Sequence, residues 1–278
     1  MNTRRITRLG QIRVYTAKCF RLFMADKKWK SFVSAFIIIL LICFVTGDDM
    51  FQTYQSTKKG SFAVICACIW VGLFNSIQSI CQERAIIKRE HRTGLHISSY
   101  IAAHVIYEMA MCAAESLIMF VVFMIRNHSH LPEANDSIVL PLLDLYITMF
   151  LVTFCSDMMA LIISCIVKKE STAMTVMPFI LIIQLIMSGM LFDLDGITAK
   201  ISSLTVSRWG LNALITIANT NTKVLNQYKI ATQDDVIASG CEPEFANLLH
   251  FWLILILFAL IYIVVSTIFL EQVDKDKR

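Results

Sequence analysis

The stretch CQERAIIKREHRTG, residues 81–94, places seven titratable side chains between two long apolar runs. Charged groups at this density are too costly to remain in the hydrocarbon core of a bilayer. The stretch therefore indicates a polar segment that joins two membrane-spanning helices, and the segments on its two sides decide the fold.

The composition of the whole chain predicts a membrane protein. Of its 278 residues, 56% are hydrophobic and 17% are charged, and the mean hydropathy is +0.64, too apolar for an ordinary soluble domain. A helix needs about 20 apolar residues to cross about 30 Å of hydrocarbon. Runs near that length predict an all-α membrane protein with six transmembrane helices, at residues 31–46, 61–80, 98–125, 141–167, 172–192 and 248–270. The first run is short, so it would span with Trp29 at the interface.

The distribution of lysine and arginine predicts the orientation of these spans. With a cytoplasmic N-terminus, eighteen of the 25 Lys and Arg residues fall in inside segments and seven in outside segments. Cytoplasmic loops carry the excess of positive charge, so we expect a multi-pass protein of the cell membrane with both termini cytoplasmic. We expect no cleaved signal peptide, because thirty residues precede the first apolar run without a small-residue cleavage site after it.

The chain divides into a cytoplasmic basic segment at 1–30, a six-span domain at 31–270 and a cytoplasmic tail at 271–278. The first segment predicts an amphipathic helix on the inner membrane face, with its basic side chains towards anionic headgroups. Its apolar residues form one helical stripe, at Leu9, Ile12, Cys19, Phe20 and Phe23. The alternative is a basic tail that only fixes the orientation of the spans.

The outside insertion at 193–247 is too long and too apolar to be a simple loop. We expect a short re-entrant helix, which dips back towards the membrane, followed by a compact polar cap. Cys241 is the one cysteine of nine on the predicted outside, where a free or buried thiol is favoured over a bridge between two copies of the chain.

Several kinds of chemistry lack a motif in this sequence. No G-x-x-x-x-G-K-[ST] phosphate loop occurs, and neither do H-E-x-x-H or G-x-S-x-G, so the chain itself is not expected to be an enzyme. No CxxC or Cys/His cluster indicates a metal site, and no nucleic-acid partner is expected.

Ionisable residues occur at membrane depth, where a carboxylate is costly and is a candidate functional group. Glu108 and Glu115 share one face of the third predicted span with His104, and Asp157 is near the middle of the fourth. One interpretation is proton chemistry coupled to transport. The other is helix packing, with Asp157 protonated and hydrogen-bonded to a neighbouring hydroxyl.

The charged stretch and its flanks resemble the matching segment of type-2 ABC exporter permeases, the branch that includes the G-subfamily half-transporters. That family has a charged coupling helix, a glycine, S-x-Y at the start of the next span and then a glutamate. The corresponding residues here are Glu83, Arg84, Arg89, Glu90, Gly94, Ser98, Ser99, Tyr100 and Glu108.

A second segment, residues 168–214, is similar to the fifth span of the same family. It has a mid-membrane proline, a Ser-Gly pair near the outer end and an S-x-R-[WY]-G signature, here with the Ser and Arg adjacent. The matching residues are Pro178, Ser188, Gly189, Ser207, Arg208, Trp209 and Gly210. Together with the six-span layout, the resemblance covers roughly residues 30–270.

The resemblance implies the permease subunit of an ATP-driven exporter, in which a short charged helix docks into a groove of an ABC ATPase. Glu83, Arg84, Arg89 and Glu90 are the expected contacts. ATP and Mg would be bound by that cytoplasmic partner, which we expect on a separate polypeptide, and the chain itself would hold no cofactor. A solvated loop that only supplies the positive charge typical of cytoplasmic loops would need neither the two glutamates nor the apolar pair Ile86-Ile87.

The resemblance also implies a substrate pathway between two permease protomers, identical or related. Its lining candidates on the second and fifth spans are Trp70, Phe74, Asn75, Met177, Phe179, Leu181 and Gln184, and its outer valve would be Met190 and Leu191. Spans rich in Met and Phe suit a hydrophobic or amphipathic substrate, although ordinary packing against lipid explains the same composition. The alternatives are a non-transporting regulatory or immunity membrane protein, a channel or a proton-coupled carrier.

Overall fold

The computed structural model describes residues 7–25, 29–46, 50–51, 54–128, 131–132, 138–192, 194–218 and 244–272. All regular structure in these ranges is helical, which confirms the all-α prediction. The helices are α1 (Arg8–Ala25), α2 (Lys30–Thr46), α3 (Tyr54–Ser76), α4 (Ser79–Arg92), α5 (Ile97–Arg126), α6 (Pro141–Ile166), α7 (Glu170–Ile186), α8 (Ile197–Ser202), α9 (Val206–Ala218) and α10 (Phe245–Glu271).

Four helical stretches in the described ranges are long and apolar enough to cross a membrane: Ser56–Arg92, α5, α6 and α10. A fifth is counted if α1 and α2, which meet at 72°, form one bent span. The helices α2 and α7 have 17 residues each, or about 25 Å at 1.5 Å per residue. The six-span count therefore stays a prediction, because these two helices are shorter than the hydrocarbon core.

Most predicted span boundaries agree with the helices to within a few residues, and the exceptions are the start of α3, at Tyr54 rather than residue 61, and the end of α7. The prediction extends the fifth span to residue 192, whereas α7 ends at Ile186. Gly189 follows in the left-handed region at φ +78°, a conformation that side chains rarely allow and that ends a helix. Hydropathy does not mark this turn, because the apolar composition continues past the glycine, and the outer limit of the fifth span stays a prediction.

The core is built around α6, which packs against α3, α5, α9 and α10. The closest approach lies between α3 and α6 at Gly72. A Cβ atom at this glycine would lie 2.2 Å from the backbone oxygen of Thr153 and 3.0 Å from the amide nitrogen of Asp157. The absence of a side chain at position 72 is therefore what lets the two backbones approach so closely.

The helix α10 covers one side of this core. Trp252 lies on its buried face and donates a hydrogen bond from Nε1 to Thr148 Oγ1 of α6 at 2.9 Å. Its other faces expose leucine, isoleucine and valine side chains, as expected for a helix that contacts lipid.

Candidate functional site

The charged stretch forms α4, and its N-terminus is fixed to the end of α6. The backbone N–H groups of Ile80 and Cys81 donate to Ser164 Oγ at 3.0 and 3.1 Å. These are among the amide groups that a helix N-terminus leaves without an intrahelical acceptor. Nothing in the sequence marks this serine, which lies in an apolar run where a small polar residue is unremarkable.

Arg84 fixes the same junction from the other side. Its Nη1 donates to the carbonyl oxygens of Cys165 at 2.6 Å and of Val167 at 3.4 Å, at the C-terminus of α6. A cation at this end of a helix satisfies free carbonyl groups and the negative end of the helix dipole. Arg84, predicted to contact a partner, therefore lies against α6 of its own chain.

The C-terminus of α4 is closed by a glycine turn. Leu95 N donates to Glu90 O and Gly94 N donates to His91 O, both at 3.1 Å. Gly94 has φ +110°, so the pattern is a Schellman motif with glycine at the left-handed position. The glycine of the charged stretch ends α4 and sends the chain into α5.

The N-terminal helix α1 holds α4 along its length. Lys18 Nζ forms an ion pair with Glu83 Oε2 at 3.0 Å, and Tyr15 donates its hydroxyl to Glu90 Oε2 at 2.8 Å. Tyr100 of α5 also donates to Glu83 Oε2, at 2.9 Å. The predicted amphipathic helix is confirmed as a helix, and it contacts α4, α5 and, through Phe23 and Phe32, α2.

Three of the four predicted contact residues therefore turn towards their own chain, and Arg89 alone of the four is exposed. The exposed face of α4 follows the helical spacing i, i+3, i+4, i+7. It consists of Gln82, Ala85, Ile86 and Arg89, and is called here the outer face of α4. Ile86 is 40% exposed, which places an apolar side chain next to the arginine.

We expect Tyr15→Phe to destabilise the contact between α1 and α4 without changing how the aromatic ring packs. The substitution removes the hydrogen bond to Glu90 but keeps the edge-to-face contact with Tyr100, whose ring centroid lies 5.5 Å away. One lost hydrogen bond to a charged acceptor corresponds to about 1.5–3 kcal/mol. Proteolysis of α1 in native nanodiscs should become faster than in a Val14→Ala control, since Val14 is exposed on the same helix; equal rates would contradict the role of this bond.

A chain of buried and half-buried polar groups crosses the bundle from α2 to α6. Glu115 accepts hydrogen bonds from Ser31 Oγ and from Asn75 Nδ2, the latter at 2.5 Å. Asn75 Oδ1 also accepts from Ser31 Oγ at 3.0 Å. Cys112 continues the chain by donating to Asp157 Oδ2 at 3.6 Å. Two of the three predicted intramembrane carboxylates are thus linked, and Asn75, predicted to line the pathway, is the group between them.

Substitution of Asn75 by leucine is expected to cost about 1–3 kcal/mol of stability, because Glu115 then loses one of its two donors in a buried site. Asn75→Asp should lower the stability further, since it places a second carboxylate beside that of Glu115. Thermal unfolding of the full chain in nanodiscs measures both changes. A leucine variant as stable as the wild type would show that this bond carries no net stability.

The third intramembrane carboxylate, Glu108, lines a cavity. Glu108 of α5 is 3% exposed and lines a cavity of about 340 Å³ among α1–α5, together with His104 and Glu83. His104 Nε2 is 3.9 Å from Cys19 Sγ of α1. Glu115 and Asp157 thus belong to the chain of polar groups, whereas Glu108 is part of the cavity wall.

The predicted pathway residues separate into an exposed and a buried group. Trp70 and Phe74 stack on the surface of α3 with ring centroids 5.7 Å apart, and Phe179 of α7 is 64% exposed. The buried group faces the core and consists of Met177, Leu181 and Gln184. Of the predicted valve, Leu191 is 54% exposed and Met190 is half-buried after the Gly189 turn.

These geometric features agree with comparisons to known proteins. The sequence profile of the ABC-2 type transporter family matches residues 10–218, which include most of α1, all of α4 and every predicted site residue. The chain belongs to this family. It is therefore a multi-pass membrane protein with the permease domain of an ABC transporter. Such a domain works with an ATP-binding domain and does not itself hydrolyse ATP.

The ABC-2 domain also has a relative of known architecture. The chain is similar to the ABC transporter ATP-binding/permease protein Rv1747 of Mycobacterium tuberculosis, with 24% identity over 204 residues. The match covers 69% of this chain and 24% of the relative. The chain thus corresponds to about a quarter of a longer protein that combines ATP-binding and permease functions.

In this ABC-2 domain the S-R-W-G signature joins α7, α8 and α9. Ser207 donates its hydroxyl to Gln184 O at 2.5 Å, and Arg208 Nη1 donates to Ala199 O at 2.7 Å. Trp209 donates from Nε1 to Ser203 O at 2.7 Å. The signature therefore donates hydrogen bonds to backbone carbonyl groups near the ends of these helices. The helix α9, which carries the signature, packs against α3, α6 and α10. Residues 193 and 219–243 of the predicted outside insertion, the latter with Cys241, lie outside the described residues.

Proposed function

We propose that the chain is the permease of an ATP-driven exporter that moves a hydrophobic or amphipathic substrate outward. In this proposal the ATP-binding subunit, which holds ATP and Mg, is a separate chain on the cytoplasmic side. The observation that carries the proposal is the outer face of α4. It is exposed while both ends and the opposite face of the helix are fixed to α1, α5 and α6.

A fixed helix with one free face suits the transmission of force. Movement of a partner bound to Ile86 and Arg89 would pass to α6 through Ser164 and Arg84, and to α1 through Lys18. The apolar side chain provides buried contact area, and the arginine provides orientation and register. Glu83, Arg84 and Glu90 then act within the permease as positioning residues behind the contact.

Orientation of the complex follows from charge. With both termini cytoplasmic, α4 with its basic residues is on the side where the ATP-binding subunit resides. The residues before α1 and the tail after α10 lie on that side as well.

The substrate pathway in this proposal lies between two copies of the permease, or between this chain and a related one. Trp70, Phe74 and Phe179 supply an exposed aromatic surface on α3 and α7 for that pathway. Met190 and Leu191 would close it on the outside. Aromatic and thioether side chains adapt to apolar ligands of varied shape, which supports a hydrophobic or amphipathic substrate.

The test is to purify the tagged full chain from its native membrane and identify the proteins that accompany it. We expect an ATPase with a phosphate loop, and ATP-dependent efflux of a hydrophobic dye from proteoliposomes that contain both proteins. A partner variant without the phosphate-loop lysine is the matched control. Efflux that continues with this variant, or a purified chain without any such ATPase, would contradict the proposal.

A proton-coupled carrier is the second candidate, and the buried carboxylates favour it. Glu115 and Asp157 are completely buried and linked through Cys112 and Asn75, an arrangement that proton pathways use. Under this alternative, Asp157→Asn and Glu115→Gln each slow transport driven by a proton gradient. Wild-type export rates in both variants would exclude it.

A further inference from the structure

The helix α1 packs against its own chain on two sides and leaves a third side exposed. Tyr15 and Lys18 contact α4. Cys19 packs against α5, and Phe23 packs against α2. At 3.6 residues per turn, the exposed residues of α1 between positions 9 and 24 occupy one continuous side, which is called here the outer face of α1. They are Leu9, Arg13, Val14, Ala17, Phe20, Arg21 and Met24.

The neighbouring helix α2 indicates where this face lies relative to the membrane. It exposes large apolar side chains, among them Phe36, Leu40 and Phe44, as a lipid-facing helix does. Trp29, which precedes it, is 53% exposed, and tryptophan is enriched at the membrane interface. Because α1 carries three arginines and a lysine and meets α2 at 72°, it is too charged for the hydrocarbon and runs along the membrane surface.

The outer face of α1 combines positive charge with apolar side chains. Within the described residues, neither Arg13 nor Arg21 forms an ion pair. Eight positions separate these two arginines, or about 12 Å along the helix axis, so each would contact a different headgroup. Leu9 and Met24 are 78% and 77% exposed. Arginines beside apolar side chains are typical of helices that bind the surface of an anionic membrane.

The opposite side of α1 connects this face to α4. Gln11 Nε2 donates to Gly94 O at 3.1 Å, and Gln11 Oε1 accepts from His96 N at 3.0 Å. With the bonds of Tyr15 and Lys18, these contacts tie α1 to α4 and to the turn that follows it. A ligand that binds α1 in its packed position therefore also stabilises the position of α4.

We propose that the outer face of α1 binds the phosphate groups of anionic phospholipids, and that this binding stabilises the packing of α1 against α4. Arg13 and Arg21 supply the charge, and the apolar side chains of the face enter the boundary between headgroups and acyl chains. Binding itself does not depend on transport. Its consequence, that the charge of the leaflet regulates coupling through α4, rests on the proposed function.

The experiment compares the full chain in nanodiscs of phosphatidylcholine with the same chain in nanodiscs that also contain phosphatidylglycerol. Hydrogen exchange of peptides from α1, α4 and α6 is followed by mass spectrometry. An arginine near an anionic surface contributes about fivefold in affinity. For two arginines we expect phosphatidylglycerol to slow exchange in α1 by about tenfold or more, to slow exchange in α4 as well, and to leave α6 unchanged.

Equal exchange of α1 in the two bilayers would overturn the proposal. Slower exchange in α1 without any change in α4 would overturn the link between the lipid and α4. The same slowing by inorganic phosphate in phosphatidylcholine nanodiscs would overturn the lipid as the ligand. Since the measurement is made without an ATP-binding partner, its result does not depend on whether the chain exports a substrate.

Three charge variants locate the effect. The double variant Arg13→Gln, Arg21→Gln should exchange like the wild type in phosphatidylcholine and lose the slowing by phosphatidylglycerol. The double variant Arg13→Lys, Arg21→Lys keeps the charge and should retain most of the slowing. Lys59→Gln removes an exposed cation of α3 and is the matched control, with the full slowing expected. Full slowing in the glutamine double variant would contradict the assignment of the site.

A further variant tests the apolar contact with the bilayer. Met24→Gln makes the side chain polar with little change in helix propensity, so it should speed the exchange of α1 in both kinds of nanodisc. Unchanged exchange in both would show that the outer face of α1 does not touch the membrane. In every variant, wild-type exchange of α6 confirms that the bundle is folded.

Discussion

Replacement of Gly72 by alanine is expected to destabilise the protein by at least about 3 kcal/mol or to prevent its folding. The new methyl group would lie 2.2 Å from the backbone oxygen of Thr153, and a backbone atom cannot move aside as a flexible side chain can. Relief requires α3 and α6 to separate, although this is the most extensive helix contact of the described fold. Overpacking usually costs about 1–3 kcal/mol, and a backbone collision exceeds that range.

Gly210→Ala is the matched control for this prediction. A Cβ atom there would lie 2.7 Å from Val152 Cγ2 and 3.1 Å from Ile65 Cδ1, so only side chains have to adjust. We expect a loss of about 1–2 kcal/mol. Thermal unfolding of both variants in nanodiscs gives the comparison. A Gly72→Ala protein at least as stable as Gly210→Ala would show that the two helices are not in the close contact described.

The second large effect is expected at the outer face of α4, where the double variant Ile86→Asp, Arg89→Glu should uncouple the permease from its ATP-binding subunit. Central interface residues contribute about 2–4 kcal/mol each to binding, so we expect the dissociation constant to rise at least about 30-fold. Both side chains are exposed, so the stability of the permease should not change. Affinity measured between the purified permease and the co-purifying ATPase checks the prediction.

Two single variants separate docking from folding in this experiment. Arg8→Glu reverses an exposed charge that is not part of the outer face of α4, and should leave the affinity unchanged. Arg84→Gln removes the hydrogen bond to Cys165 O and should lower the stability of the permease as well as its coupling. If the double variant binds the ATPase as tightly as Arg8→Glu does, the outer face of α4 is not the docking surface.

The helices could be predicted from the sequence because apolar length alone determines where a helix can lie in lipid. Residues 98–125 and 141–167 differ from α5 and α6 by one residue at an end or not at all. The end of α7 does not show in the hydropathy, because the backbone conformation of Gly189 terminates it.

The direction in which side chains point could not be predicted in the same way. Glu83 and Arg84 carry the charge typical of a docking helix, yet their partners Lys18 and Cys165 lie 65 and 81 positions away in the chain. A single sequence does not show which residues contact each other when they are so far apart in the chain. The same applies to Gln184, which the family resemblance placed among the lining candidates of the pathway, whereas its side-chain oxygen accepts a hydrogen bond from the backbone N–H of Ser207.

The contacts of α1 with α4 also bear on how the protein is made. Tyr15 and its acceptor Glu90 are 75 positions apart, and translation adds about 5–20 residues per second. The first helix therefore leaves the ribosome about 4–15 s before the segment that will hold it has been synthesised. During that interval the apolar stripe cannot pack against α4 and α5 but can lie on the membrane surface, so the amphipathic pattern of α1 is useful to the nascent chain as well as to the folded protein.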